Sequence, residues 1–254
     1  HGYWCLDVSE KLDHPYSRAS YLMLMGFSQN RQNNLKEAIR YCILSYQILR
    51  GYSWQDSFIF NQVLSIMALD YYNIGEMQEA VIYYKKLAAI AESKDDKVSI
   101  CDYYDMIGNC YFRLGEGNPT ADKSSPGLQY IILAEESFRK ALPVARAIKD
   151  EVRTARELNN IAYSLFYQTK NDDAVKTAGE GIQILERVGD KEKLANALFV
   201  YARILYAGKQ TSLALDNFLR SAKLFEEINS PEDLKACYQW LAEIYSGENI
   251  ERMQ

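Results

Sequence analysis

Large apolar residues return along this chain at helical intervals, and the intervals themselves fall into a longer cycle. From Ala134, core-type residues follow at the fourth and seventh positions (Phe138, Ala141), and from Ala214 they do so again (Phe218, Ser221). That is the i, i+4, i+7 spacing of one helix face. Upstream of each such stretch a small residue follows a large apolar one: Met25-Gly26, Met67-Ala68, Ile107-Gly108, Ile161-Ala162, Tyr201-Ala202 and Leu241-Ala242. The small residues recur at 42, 40, 54, 40 and 40 residues. A fixed period of this size marks a repeat architecture.

Twelve positions after the small residue comes an alanine that opens the second apolar stretch: Ala38, Ala80, Ala174 and Ala214, with Ala134 as the equivalent after an insertion. Short turns separate the two stretches, as in Asn73-Ile-Gly75, Thr169-Lys-Asn171 and Ala207-Gly-Lys209. Each period therefore reads as a helix–turn–helix hairpin, in which a small residue midway along the first helix lets the second approach closely. The one long interval coincides with residues 115–127, a Gly/Pro/Ser/Asp-rich stretch that reads as an inserted loop. The hairpins are expected near 16–50, 55–93, 96–148, 150–188 and 191–228, with a partial copy at 231–254. They form a single solenoid domain over 1–254, with about eleven helices and no sheet.

The segments Asn160 to Ala174 and Ala68 to Ala80 resemble tetratricopeptide (TPR) repeats, and the likeness extends over nearly the whole chain. The period near 40 exceeds the usual 34 of that family, which implies helices longer by roughly one turn. The proline that commonly closes a repeat survives only in Asn229-Ser-Pro231. This longer style is similar to repeats in bacterial signalling and regulatory proteins and in kinesin light chain-like adaptors. The resemblance implies an all-α, right-handed superhelical solenoid of antiparallel hairpins. Val8 and Leu12 sit in the register of a preceding second helix, and the helix from Pro231 is expected to end near Ser246, its partner barely begun at Asn249. Both ends thus read as cut from a larger protein.

Composition narrows the chemistry. Lys and Arg number 29 against 34 Asp and Glu, so a net charge of −5 argues against a nucleic-acid-binding surface, which would need clustered Lys and Arg to neutralise phosphates. No apolar run approaches the length of a membrane span. The only histidines are His1 and His14, which leaves the body of the chain without a base for zinc or nucleophile chemistry. Cys5, Cys42, Cys101, Cys110 and Cys237 show no CxxC spacing and read as reduced, structural thiols. Their odd number leans toward a cytoplasmic setting. Gly115-Glu-Gly-Asn-Pro follows a helix and lacks the lysine of a phosphate loop. Catalytic, metal and cofactor sites are all expected to be absent.

In a stacked-hairpin solenoid the first helices line the concave face. Counting from the small residue, offsets +1, −3, −6 and +4 point into it. This gives Asn109, Arg156, Asn159, Tyr163, Asn196, Phe199, Arg203 and Tyr206 as candidate peptide-binding residues, while the N-terminal third offers the more apolar Phe27 and Leu69. Asparagine can hold a peptide N–H and C=O whatever the side chains, and arginine can fork onto a carboxylate. Removing Arg203 or Asn159 is expected to weaken binding with stability nearly unchanged. A dicarboxylate clamp of the kind some TPR domains use is excluded. Asn109 and Asn160 stand where its asparagines would, but Asp105 and Val200 replace the cations. The expected function is a non-enzymatic protein- or peptide-binding module. The second reading is a ligand-sensing regulatory domain of a bacterial signalling protein or transcriptional regulator.

Overall fold

In the computed structural model the described residues are Lys11, 14–52, 57–116 and 126–253, with side chains described through Ser246. Among them are eleven helices and no strand. They are α1 (Pro15–Arg31), α2 (Leu35–Arg50), α3 (Phe58–Asn73), α4 (Met77–Ser93), α5 (Lys97–Glu116), α6 (Pro126–Ala147), α7 (Glu151–Tyr167), α8 (Asn171–Val188), α9 (Lys191–Ala207), α10 (Thr211–Glu227) and α11 (Pro231–Met253). They gather into two compact units, residues 1–117 and 118–254, and each is described by itself.

Local chemistry explains where the helices begin and end. The Asp150 carboxylate accepts from the backbone N–H of Arg153 at 2.9 Å, and Asp190 accepts from that of Lys193 at 3.0 Å. Each satisfies a donor that the first turn would otherwise leave orphaned. Proline opens α1, α6 and α11, where its missing N–H costs nothing. The eight connections that lie wholly within the described residues each reverse through one left-handed residue, at Asn33, Gly75, Asp95, Lys149, Thr169, Gly189, Lys209 and Asn229.

In the first unit, α1 packs on α2, α2 on α3, α3 on α4 and α4 on α5, and α1 also lies against α3. The second unit repeats the scheme from α6 to α11, with α7 against α9. First helices of neighbouring hairpins are therefore side by side. Ala68, Ala162, Ala202 and the alanines Ala38, Ala80, Ala134, Ala174 and Ala214 have no exposed surface. At Gly26 a Cβ would meet the Cys42 Sγ at 2.6 Å and the Ala38 carbonyl at 3.2 Å, so only glycine permits this approach of α1 to α2. A second lock repeats across units. Ser45 on α2 donates to the Ala19 carbonyl on α1 at 2.7 Å, and Ser221 on α10 donates to that of Ala195 on α9 at 2.7 Å. Both serines stand seven residues beyond the hairpin's alanine.

Three expectations change at their edges. The inserted loop is narrower than 115–127: Gly115 and Glu116 finish α5, Pro126 and Gly127 begin α6, and 117–125 lie outside the described residues. α11 runs unbroken to Met253, because a lone Gly247 costs about 1 kcal/mol in a helix and does not end one. Ala242 is exposed, since no second helix covers it among the described residues. The expected helix at residues 1–12 falls almost wholly outside the described residues, as does Cys5. Cys42, Cys101, Cys110 and Cys237 are free thiols and buried. Burial pushes the thiols of Cys42 and Cys110 up to about 12, which keeps them protonated and unreactive.

Candidate functional site

Seven of the eight candidate residues lie in the second unit, on the adjacent helices α7 and α9. Tyr163 (α7) and Arg203 (α9) occupy the same place in successive hairpins, and the side-by-side packing brings them together. The Arg203 guanidinium donates from Nη1 to the Tyr163 hydroxyl. Its central carbon lies 5.0 Å from the Tyr163 ring centroid, 6.0 Å from that of Phe199 and 5.4 Å from that of Trp240 on α11. Arg203 is thus caged by aromatic rings from three first helices. Its Nε is buried without a hydrogen-bond partner, and so is Oδ1 of Asn159, one turn before Tyr163 on α7. A buried donor and a buried acceptor are both unmade on one face, each a cost of about 1–3 kcal/mol until something satisfies it.

The cage has a packed floor. Trp240 stacks on Phe218 at 5.8 Å, and Phe199 meets Phe218 edge-on at 5.6 Å. Tyr206 meets Trp240 edge-on at 6.1 Å. Tyr163 stacks on Phe166 of its own helix at 6.2 Å, and its hydroxyl is 3.4 Å from that of Tyr167. Phe199 is a half-buried packing residue as much as a surface one, because it reaches into the α9–α10 core.

Two of the remaining residues are committed elsewhere. Arg156 donates from Nε to Glu157 at 3.1 Å, and Glu157 is wholly buried. Its guanidinium already balances a carboxylate of its own helix. Asn196 is exposed and donates to the Glu192 carbonyl at 3.1 Å. Asn109 is half-buried on α5 of the first unit, where Arg113 lies over the Tyr72 ring at 4.7 Å.

The cage also changes what is expected of Arg203. Stacked on three rings, it contributes to packing as well as to any ligand contact. A cation over an aromatic face is worth about 0.5–2 kcal/mol. Trp240 was not among the sequence candidates, because it falls two residues before Ala242 and outside the counted offsets. A tryptophan 37 residues after Arg203, close to one repeat further on, was the available signal.

Among the described residues no group of His, Cys, Asp and Glu could hold a metal ion, and no helix is long and apolar enough to cross a membrane. A cavity of about 380 Å³ at the α6–α7 corner is lined by Arg146, Lys149, Glu151, Thr154 and Ile184. Arg146 there already pairs with Glu180, and Glu151 with Arg187, both at 2.6 Å.

No family model matches the chain, and no curated protein matches it. Solved structures do. Aspartyl phosphate phosphatase F from Bacillus subtilis superposes over 92% of this chain and 61% of its own, with a TM-score of 0.56 at 14% identity. The kinesin light chain TPR-like repeats of Podosopora anserina superpose over 86% of this chain and 100% of theirs, with a TM-score of 0.63 at 13% identity. The Rap conjugation gene regulator of the plasmid pLS20, in complex with the Phr* peptide, superposes over 89% of this chain and 57% of its own, with a TM-score of 0.61 at 17% identity. The chain spans about three-fifths of the length of the first and third. Its fold is TPR-like, in the all-α class of helical-repeat solenoids.

Proposed function

We propose that this chain is a non-enzymatic module that binds an extended peptide or protein segment on the face shared by α7 and α9. One observation carries the reading: Asn159 Oδ1 and Arg203 Nε are buried there without partners. Once a side-chain rotation brings them to the surface, a peptide backbone offers an N–H for the first and a C=O for the second. The surrounding Tyr163, Phe199, Tyr206 and Trp240 supply contact area at low rotamer cost. The second reading, a ligand-sensing regulatory domain that controls an attached output domain, is favoured by the Rap regulator similar in fold and solved with a peptide. The two readings share one site.

Pools of fluorescein-labelled random hexapeptides, followed by fluorescence polarisation, provide the test. Asn159→Ala is expected to weaken binding of the selected peptides about tenfold, and Arg203→Ala about ten- to a hundredfold. Arg203→Lys, which keeps the cation over the rings but loses the fork, should fall between parent and Ala. Arg146→Ala and Glu180→Ala, away from this face, should bind as the parent does. The reverse pattern would sink the proposal.

A further inference from the structure

α3 is rich in large apolar residues, and Asp70 is its one charged residue. The side chain has no exposed surface. Asn30, near the end of α1, donates from Nδ2 to Asp70 Oδ1, joining the first helices of two consecutive hairpins. The other carboxylate oxygen, Oδ2, is buried without a partner. The titratable groups facing Asp70 from the other packed helices are the Cys42 thiol of α2 and the Tyr84 hydroxyl of α4. Beyond Tyr84 lie Cys110 of α5 and the neighbouring phenols Tyr72 and Tyr103. Each of these groups is neutral when protonated. The nearby cation is Arg113 of α5, which lies over the Tyr72 ring at 4.7 Å and acts on Cys110, while the shift of Asp70 itself comes from burial and the Asn30 bond. A carboxylate in this position has one donor to hold its charge, whereas the neutral acid has no charge to solvate.

We infer that the buried Asp70 carboxyl, seated against Asn30, is a proton-responsive joint between the first helices of the first two hairpins: as the neutral acid it stays buried there, and as the carboxylate it favours opening of α1 from α3 toward water. Burial pushes the Asp70 carboxyl up from 3.8 to about 6, although the Asn30 hydrogen bond favours the charged form and pulls the other way. The folded chain therefore holds this proton more tightly than the unfolded chain does. Stability from this group is greatest in acid and is lost as pH rises from about 4 to about 6. Two pH units correspond to roughly a hundredfold difference in proton affinity. The joint operates without a ligand, so it stands or falls independently of peptide binding.

The experiment is a carboxyl-carbon NMR titration of Asp70 in the full chain, in a His14→Gln background so that the histidine at the head of α1 does not contribute. Amide hydrogen exchange of α1 and α3, corrected for intrinsic rates, is measured in parallel at about pH 5 and about pH 7.5. A midpoint near 6 is expected. Protection of α1 and α3 should be on the order of tenfold or more greater at the lower pH. Asp70→Asn should hold the acid level of protection at both pH values. Asn30→Ala, which removes a bond to the charged form, should move the midpoint upward. A parental midpoint near the ordinary 3.8 overturns the inference. So does an Asp70→Asn chain that keeps the parental pH dependence. If that variant does not fold, the parental midpoint and its shift in Asn30→Ala decide the matter.

Discussion

The two units use the same hairpin but tie their successive second helices by different chemistry. In the first, cations lie on tyrosine rings: Lys85 over Tyr111 at 5.4 Å, Lys86 over Tyr46 at 4.8 Å and over Tyr83 at 5.3 Å, and Arg113 over Tyr72 at 4.7 Å. Lys86 on α4 also donates to the Tyr46 hydroxyl on α2 at 2.7 Å, tying successive second helices together. In the second unit the corresponding ties are ionic. Arg146 on α6 meets Glu180 on α8, and Arg220 on α10 meets Glu186 on α8, both at 2.6 Å. Glu151 with Arg187 and Lys191 with Glu227 close the two hairpins between them. One scaffold thus accepts two chemistries for the same joint. The rings of the first unit's ties are half-buried against its core while Lys85 and Arg113 are exposed, and the ionic ties of the second unit sit at the surface. Their responses to salt and acid should differ.

The largest effect comes from cutting each unit at its own core. Phe218→Ala removes a wholly buried ring between Phe199 and Trp240, and should cost about 3–5 kcal/mol in urea unfolding. Exchange protection should fall in α9–α11 and persist in α1–α5. Loss of protection throughout would show that the units do not respond separately. Gly26→Ala does the converse in the first unit. The Cβ it introduces would overlap Cys42, and a cost of about 1–3 kcal/mol confined to α1 and α2 is expected by the same measurement.

Acid separates the units with opposite signs. Burial raises the Asp150 carboxyl, but bonds from Arg153 and its charge outweigh that and hold it below the usual range. The backbone bond from Lys193 does the same for Asp190. Their caps therefore stabilise the second unit above about pH 4, and that contribution is lost as pH falls through their lowered values. Asp70 acts in the reverse direction over about pH 4–6. Limited proteolysis should find the first unit more resistant at about pH 5 than at about pH 7, with the second unit unchanged over that range. Asp150→Ala and Asp190→Ala should each cost about 1 kcal/mol at neutral pH and cost progressively less in acid. Salt gives the smallest effect. At about 0.5 M sodium chloride the exposed pairs of the second unit should lose less than about 1 kcal/mol each, read as a lowered urea midpoint that the first unit, with fewer such pairs between helices, shares to a smaller extent.

Much of the fold was legible because it is written in residues whose size alone matters. Gly26, Ala68, Ala162 and Ala202, each with an alanine twelve positions later, mark contacts that no larger side chain could enter, so the sequence pattern and the packing are one constraint. The candidate site was legible only in outline. Offsets along one helix placed Tyr163 and Arg203 on a common face, but which polar groups find partners depends on helices far apart in sequence. Arg156 turned to its neighbour Glu157, Asn196 bonded its own backbone, and Trp240 came in from α11. Asp70, the one charge of α3, carried no signal in the sequence, because its contact with Asn30 lies forty residues away.

The corners carry a different lesson. Eight connections among the described residues, running in both directions, from first helix to second and from second to the next first, bend through a single residue of positive φ. Asparagine, aspartate, lysine, threonine and glycine all serve, so the bend does not depend on one side chain. Hairpins joined by equivalent bends, each touching its nearest neighbours, are interchangeable parts. Duplication or deletion of about forty residues between two such corners leaves every remaining joint of a familiar kind. A change of a few residues inside a helix would rotate its alanine out of register. Variation in the length of this chain should therefore come in whole hairpins, with smaller steps confined to its one long insertion.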